Sequence, residues 1–564
     1  MTDLLKPFLE ISKHRWFLLG NLFLFFLLMN GIVSSGSCRK DLSRSERFEL
    51  TVSTRKLLEN LESTLYIDAF YSSKVPGEYK ARLDLTKEML SEIAAVGGKK
   101  VVLRFFDPDS SQEEAQKASE SGVEPQILQK SDRDSASVKQ AYLGLTLTIG
   151  SETEILPVAF FAEQIEYQIL SGIRKIRRKN QDSGLVLLKT NGSLNPQNPG
   201  PGSGKDTVGV FVHQVLETEI GMIPELNLES DEIPEGTSAL LWIGSGSLSQ
   251  LERYKIDQFL VSGGSLILLS KTMDFRMESS GNRMGILTGE TGAGMAQTDS
   301  FAQDLSSFLE HYGIRILSNI VLDPDNSLPM GQLIEVEPGV LGKYPYPPWI
   351  VASHKNNTLN NESPFTKDQE NLLLPWSSSI ELIPGKQKSA PGTPLIFSGP
   401  DAEIRSDRVM LGEKQLQQTP IRPNGGPFLL GAIVEGPIES YFADKPLPKG
   451  VGKNGFLSKS PNDRIGRILV IGTPYLVSDI LAFPDYREIF RDTNIPFLLN
   501  SIDILSGETD LLAARSKQSL ILKMSPVSPK MEIFASLMNV LGIPLFVSLY
   551  AFLRLRRRRR NRPR

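Results

Sequence analysis

Two apolar runs bracket this chain, and between them the hydrophobic pattern switches repeatedly between the period of strands and that of helices. Residues 16–35 (WFLLGNLFLFFLLMNGIVSS) and 533–553 are nearly unbroken in apolar side chains. At roughly 20 residues, each is long enough to cross a bilayer as one helix. Inside them, residues 53–61 read as a helix and 65–71 as a strand. A helix over 78–96 places Tyr79, Leu83, Leu90 and Ile93 on one stripe, and Gly97-Gly98 stops it. The strand 101–106 follows, closed by Asp107-Pro108. Leu143, Leu145, Leu147 and Ile149 then alternate with Gly144, Thr146 and Thr148, the period of a strand with one buried face. Ile165, Ile169, Ile173 and Ile176 mark a helix that ends in a basic run. The alternation predicts a small α/β layer with mixed strands over 39–180.

From residue 184 the strands lose their alternation. Residues 185–188, 239–243, 266–269 and 468–471 are continuous apolar runs, as expected of strands buried on both faces of a parallel sheet. A helical stretch over 208–219 follows the first run, and a helix over 249–261, stopped by Gly263-Gly264, joins the second to the third. Strand, helix, strand with short joints implies a crossover connection and therefore parallel pairing. Residues 301–312 predict one more helix, closed by Gly313. About 325–462 is rich in Pro, Gly, Ser and Asn and reads as strands and excursions inserted into a second α/β unit spanning 184–510.

Charge orients the two runs. Arg554, Arg556, Arg557, Arg558, Arg559 and Arg560 follow the second run at once, and Lys6, Lys13 and Arg15 precede the first. Arginines beside a span stay on the cytoplasmic side and can touch anionic lipid. Residues 1–15 and the tail 554–564 are therefore expected in the cytoplasm, with transmembrane helices at 16–35 and 533–553. The bulk of the chain is then periplasmic, on the bacterial inner membrane. The fifteen-residue lead favours an uncleaved anchor over a signal peptide. Ser35 stands where a lipidated Cys38 would need a large aliphatic residue.

Composition narrows the chemistry. Net charge −3 with 23% charged residues gives no sign of a nucleic-acid partner. The single cysteine sits beside the first run, so the part beyond has no disulfide of its own and no thiol nucleophile. The four histidines are scattered without metal-ligand spacing, and no metal or other cofactor is expected. Gly202-Ser-Gly-Lys205-Asp-Thr207 imitates the end of a phosphate-binding loop, but Pro199 replaces its first glycine and Asp206 its magnesium-binding hydroxyl. Gly244-Ser-Gly-Ser247 follows a buried strand without the frame of a nucleophilic serine. Asp323-Pro-Asp-Asn326 is a candidate calcium turn or a solvated loop. The cluster Tyr344-Pro-Tyr346-Pro-Pro-Trp349 either offers a stiff partner surface through its three aromatic rings or packs on its own domain.

Several segments, in order, resemble the GldG-type family of gliding-motility-associated auxiliary proteins of ABC transport systems. They are the residues from Glu219 (EIGMIPELNL), from Ala239 (ALLWI), from Phe259 (FLVSGGSLIL), from Phe308 (FLEHYGIRI), from Gly466 (GRILVIG) and from Asn494 (NIPFLLNSIDIL). The resemblance implies an amidotransferase-like α/β core without its catalytic cysteine, tethered beside an ABC-2-type permease and, through it, a cytoplasmic ATPase. Where family members commonly carry Gly-His-Gly-Glu, this chain has Thr190-Asn-Gly-Ser193. The expectation is a noncatalytic, doubly anchored accessory subunit. The competing readings are a hydrolase of envelope polymers and a periplasmic ligand- or glycan-binding protein.

Overall fold

The computed structural model describes residues 49–132, 135–178, 184–197, 206–276, 295–337, 340–452, 454–461, 463–482 and 486–507, with 20, 23–25, 511–512, 514–515 and 550 as short stretches. The chain forms two compact units, Met1–Ser519 and Leu520–Arg564, and the description below concerns the first. Among the described residues no helix is long and apolar enough to cross a membrane. The expected spans at 16–35 and 533–553 lie outside them apart from residues 20, 23–25 and 550, and the arginines 554–560 lie outside them altogether.

The fold is mixed α/β. Helix α1 (Val52–Glu59) leads to strand β1 (Leu65–Tyr71), helix α2 (Gly77–Gly97) and strand β2 (Val101–Phe106). Gly98 ends α2 at φ +54, a conformation in which a Cβ would be strained. After the short helix α3 (Gln112–Glu120) come β3 (Leu143–Ile149), β4 (Glu152–Leu156) and helix α4 (Ala162–Arg178). The sheet order is β2-β1-β3-β4, with β1 parallel to β2 and antiparallel to β3. Leu65, Ile67, Leu145 and Leu147 point from one face into Leu83, Leu90 and Ile93 of α2 and Ile165, Ile169 and Ile173 of α4. The two periodicities expected from the sequence, two for β3 and 3.6 for the helices, thus meet in one core.

The second sheet begins with β5 (Leu185–Leu188), the two-residue β6 (Gly192–Ser193), β7 (Glu225–Leu226), β8 (Ala239–Ser245) and β9 (Ser265–Ser270). A π-helix, Val210–Leu216, runs into the short helix α5 (Glu217–Ile220) between β6 and β7. Helix α6 (Gln250–Val261) joins β8 to β9, and its first turn is held by a reciprocal cap between Ser249 and Glu252. Helix α7 (Ala302–Leu309) precedes β10 (Ile314–Ile316). The inserted stretch supplies β11 (Ser327–Glu337), β12 (Val340–Ser353), β13 (Asn371–Pro375), β14 (Ile380–Leu382), β15 (Gly392–Phe397) and β16 (Leu429–Gly436). Strand β17 (Gly466–Ile471) and helix α8 (Ile495–Leu505) complete the unit.

The order along this sheet is β10-β14-β16-β17-β9-β8-β5-β7, with β17, β9, β8, β5 and β7 mutually parallel. Trp242, Leu240, Leu266 and Leu268 face one core and Leu241, Ile243, Ile267 and Leu269 the other, which is why these strands are apolar throughout. The stretch 325–462, expected as strands and excursions inserted into this unit, contributes strands to the main sheet itself. β14 and β16 extend the main sheet in antiparallel fashion, β16 lying directly against β17.

Candidate functional site

The chain runs from β5 to β7 on one side of β5, then places β8 on the other side. In parallel α/β sheets, ligands enter the crevice at the carboxyl ends of the strands where the order reverses. Here that point lies between β5 and β8. It is filled by the chain itself. β6 pairs antiparallel with the end of β8, Gly244 opposite Ser193 and Ser245 opposite Gly192. The Thr190 hydroxyl donates to the Ser245 carbonyl at 2.6 Å and accepts from the Trp242 indole N–H at 3.3 Å. The Ser193 hydroxyl accepts from the Thr190 amide at 3.0 Å, and the Ser247 amide donates to Asn191 Oδ1 at 3.1 Å. The approach needs glycine: a Cβ on Gly192 would stand 2.4 Å from Ser245 Oγ, and one on Gly244 would stand 2.5 Å from the Gly192 carbonyl.

The neighbouring helix start is also taken. The amides of Gly209 and Val210, which open the π-helix, donate to the Asp479 carboxylate at 3.2 and 2.8 Å. A helix N-terminus attracts anions through its free N–H groups and dipole. Asp479, nearly fully buried, satisfies that attraction from within the chain.

At the carboxyl end of β9, Lys271 Nζ lies 3.1 Å from Asp274, 3.6 Å from Asp206 and 3.9 Å from Asp299. Burial works against its charge, and the three carboxylates outweigh burial, so its pKa is held above the ordinary lysine value. The ammonium is therefore a fixed counter-ion and not a free-base nucleophile. The Tyr475 hydroxyl donates to Asp206 at 3.3 Å, and burial pushes its own pKa well up.

The inserted strands cover this end of the sheet. The Thr473 hydroxyl donates to the Pro375 carbonyl at 2.5 Å, and the Ser378 amide donates to the Gly472 carbonyl at 2.8 Å. Trp376 packs edge-on between Trp349 and Tyr475, with ring centres 5.2 and 5.3 Å away. Tyr346 and Trp349 are 3% and 0% exposed, and the Tyr346 hydroxyl donates to the Leu411 carbonyl. Of the partner surface expected from Tyr344, Tyr346 and Trp349, the rings of Tyr346 and Trp349 are thereby corrected to core positions. The prolines stiffen a strand whose rings fill the core beside β17, and the side chain of Tyr344 lies outside the described residues.

The other sequence candidates are dispersed. Ser245 is fully buried with its hydroxyl directed at the Gly192 carbonyl, while Ser247 is exposed. His213 pairs with Glu217, His311 with the Glu439 carbonyl and His354 with the Thr366 carbonyl, each in its own neighbourhood. Asp323 receives N–H donors from Asn326 and Gly399 on both oxygens, the arrangement of a structural turn and not of a calcium ligand. Among the described residues no group of His, Cys, Asp and Glu is placed to hold a metal ion. Lys205 and the glycines before it lie outside those residues. An open groove of about 930 Å³ lies at the opposite, amino ends of β8 and β9, where Lys255 pairs with Glu232 and Arg467 with Glu435. The lysine cluster and the Asp479 cap escaped sequence reasoning. Lys271 directly after a buried strand was the one available signal, and Asp479 offered none.

Residues 184–501 match the family described as "ABC-type uncharacterized transport system", and residues 44–148 match a domain of unknown function, DUF7088. An uncharacterized protein of Borreliella burgdorferi is 21% identical over 552 residues, covering 96% of this chain and 97% of that protein. Among solved structures, the mmIFT52 N-terminal domain aligns at 14% identity with a TM-score of 0.24, covering 50% of this chain and 88% of that one, too weak a likeness to inform the fold.

Proposed function

The chain belongs to the family of ABC-type uncharacterized transport systems, and from that premise we propose that it is a noncatalytic accessory subunit of such a system. In this reading, spans at 16–35 and 533–553 hold it in the bacterial inner membrane with its bulk in the periplasm, as the arginines after the second run favour. The supporting observation is the filled crevice. The place where an α/β sheet of this order accepts a ligand is occupied by Thr190–Ser193, bonded to the end of β8. A protein arranged this way acts through contact. Two anchors would keep a large periplasmic mass beside a membrane partner at high effective concentration. The partner is an ABC-2-type permease and, through it, a cytoplasmic ATPase. The GldG-type resemblance extends this reading toward gliding motility.

Purification from native membranes in mild detergent, with identification of what co-purifies, tests the proposal. A polytopic permease and a nucleotide-binding subunit are expected in stoichiometric amounts. Recovery of the chain alone from membranes that contain such a permease would overturn the accessory role.

A further inference from the structure

Helix α4 receives both ends of the folded region on adjacent residues. On its incoming side, the Glu166 carboxylate accepts from the Thr51 amide at 2.7 Å and from the Thr54 hydroxyl at 2.5 Å, pinning the start of α1. The next residue, Tyr167, faces the outgoing side. Its ring lies 5.2 Å from the Arg515 guanidinium carbon, and Leu170, Leu511, Ala514 and Leu57 close around it. The Tyr167 hydroxyl donates to Glu219 of α5 at 2.5 Å, and Ser171 adds a second bond to the same oxygen at 3.2 Å. One turn further, Arg174 Nη1 donates to Asp503 of α8 at 2.5 Å, and Arg174 Nη2 donates to the Glu219 carbonyl at 3.2 Å. Arg515 approaches the other oxygen of Asp503 at 2.8 Å and donates to Asn500 at 2.7 Å.

On the outgoing side Arg174 and Arg515 face Asp503 and Glu219, and Arg174, Asp503 and Arg515 are 8%, 2% and 4% exposed. A buried ion pair contributes little net stability against an apolar substitute, yet removing one partner is costly. Loss of any one member would leave a buried charge uncompensated, so the cluster resists partial loosening. Its members come from four parts of the chain: the helix of the first sheet, the crossover of the second, the last helix and the outgoing segment.

We infer that α4 is a conformational joint on which the segments leading toward the two spans are clamped side by side, so that loosening or displacing one is delivered to the other and to the parallel sheet. The inference rests on the doubly anchored reading for its direction toward the membrane, and on the contacts alone for its existence. In an accessory subunit, this would couple movement of a membrane partner to the periplasmic mass.

Hydrogen exchange of the full-length chain in lipid nanodiscs tests it, comparing wild type with Arg515→Gln. Exchange should accelerate on the order of tenfold in both Ile495–Leu505, which Arg515 touches through Asn500 and Asp503, and Val52–Glu59, which meets the outgoing segment around Tyr167 of α4 and is pinned by Glu166. Acceleration confined to Ile495–Leu505 would overturn the joint. If Gly392–Phe397, a strand of the inserted stretch that makes none of these contacts, also accelerates, the variant has loosened the whole fold, and Thr54→Val decides from the other side. Removing that hydroxyl should raise exchange in Ile495–Leu505, and an effect restricted to Val52–Glu59 would again overturn the joint. Failure of the chain to insert into nanodiscs would count against the anchors, and the same exchange comparison on the lipid-free protein would still judge the joint.

Discussion

The Thr190 hydroxyl and the Ser245 carbonyl, 2.6 Å apart and 55 positions distant in sequence, close the crevice of the parallel sheet at the point where its strand order reverses. One hydroxyl does this while also receiving the Trp242 indole N–H. In a sheet open to ligand, those polar groups would be free to meet a substrate. Here they are spent on one another.

Replacing Thr190 with Ala should therefore destabilise the protein without exposing new chemistry. The change strands the Ser245 carbonyl and the Trp242 N–H in a buried setting, a loss of about 1–3 kcal/mol. Denaturant unfolding followed by tryptophan fluorescence measures it. A variant as stable as wild type would show that the crevice is not held shut by this contact.

Trp349 tests the correction made by the structure. Its ring is fully buried against Trp376 and Tyr486, so Trp349→Ala should cost about 3–5 kcal/mol through lost burial and a cavity. Thermal unfolding should reveal this before any partner is added. A Trp349→Ala protein of wild-type stability that has lost association with its partner would restore the view of this ring as an exposed contact.

Tyr167 predicts a pH dependence. Burial, reinforced by Glu219 and opposed by Arg515, raises its pKa from 10.0 to about 12. A raised folded-state pKa means the native state holds the proton more tightly, so the stability it contributes is complete below pH 10.0 and is lost as pH rises toward about 12. Tyr167→Phe cannot titrate. The stability difference between wild type and this variant, read by chemical denaturation, should favour wild type most below pH 10 and shrink across that window. A difference independent of pH would contradict the burial of this hydroxyl.

The parts legible in the sequence are those where one local rule decides. Strands 65–71 and 101–106 coincide with β1 and β2, because each apolar run is bounded by turn residues such as Asp107-Pro108. The parallel core was legible because Leu185–Leu188 and the runs within β8, β9 and β17 are apolar on both faces. The helical stretch after β6 was anticipated, although its π-helical form was not. What stayed hidden depends on distant partners. β16 contains Gly431 and Glu435 and reads like its Gly-rich surroundings, yet it pairs with β17 along its length. Thr190–Ser193 looks like an ordinary turn until β8 lies beside it. Asp479 stands 270 positions from the amide it caps at Gly209, with no motif to announce it. The Pro-aromatic cluster has the same composition whether its rings meet a partner or the chain's own core.

The central claim, that the folded region works by contact and not by catalysis, is tested most directly by replacing Ser245, the last residue of β8, together with Ser247 just beyond it. Ser245 is buried with its hydroxyl against a carbonyl and Ser247 is exposed, and among the described residues neither hydroxyl bonds to a histidine or a carboxylate that could activate it. The measurement is recovery of the proposed complex with a permease and ATPase, and of its transport-dependent phenotype, in cells where Ser245→Ala/Ser247→Ala replaces the wild-type chain. Full recovery of both is the expected result. Loss of the phenotype with the complex intact and the variant stably folded would contradict it and make the chain an enzyme.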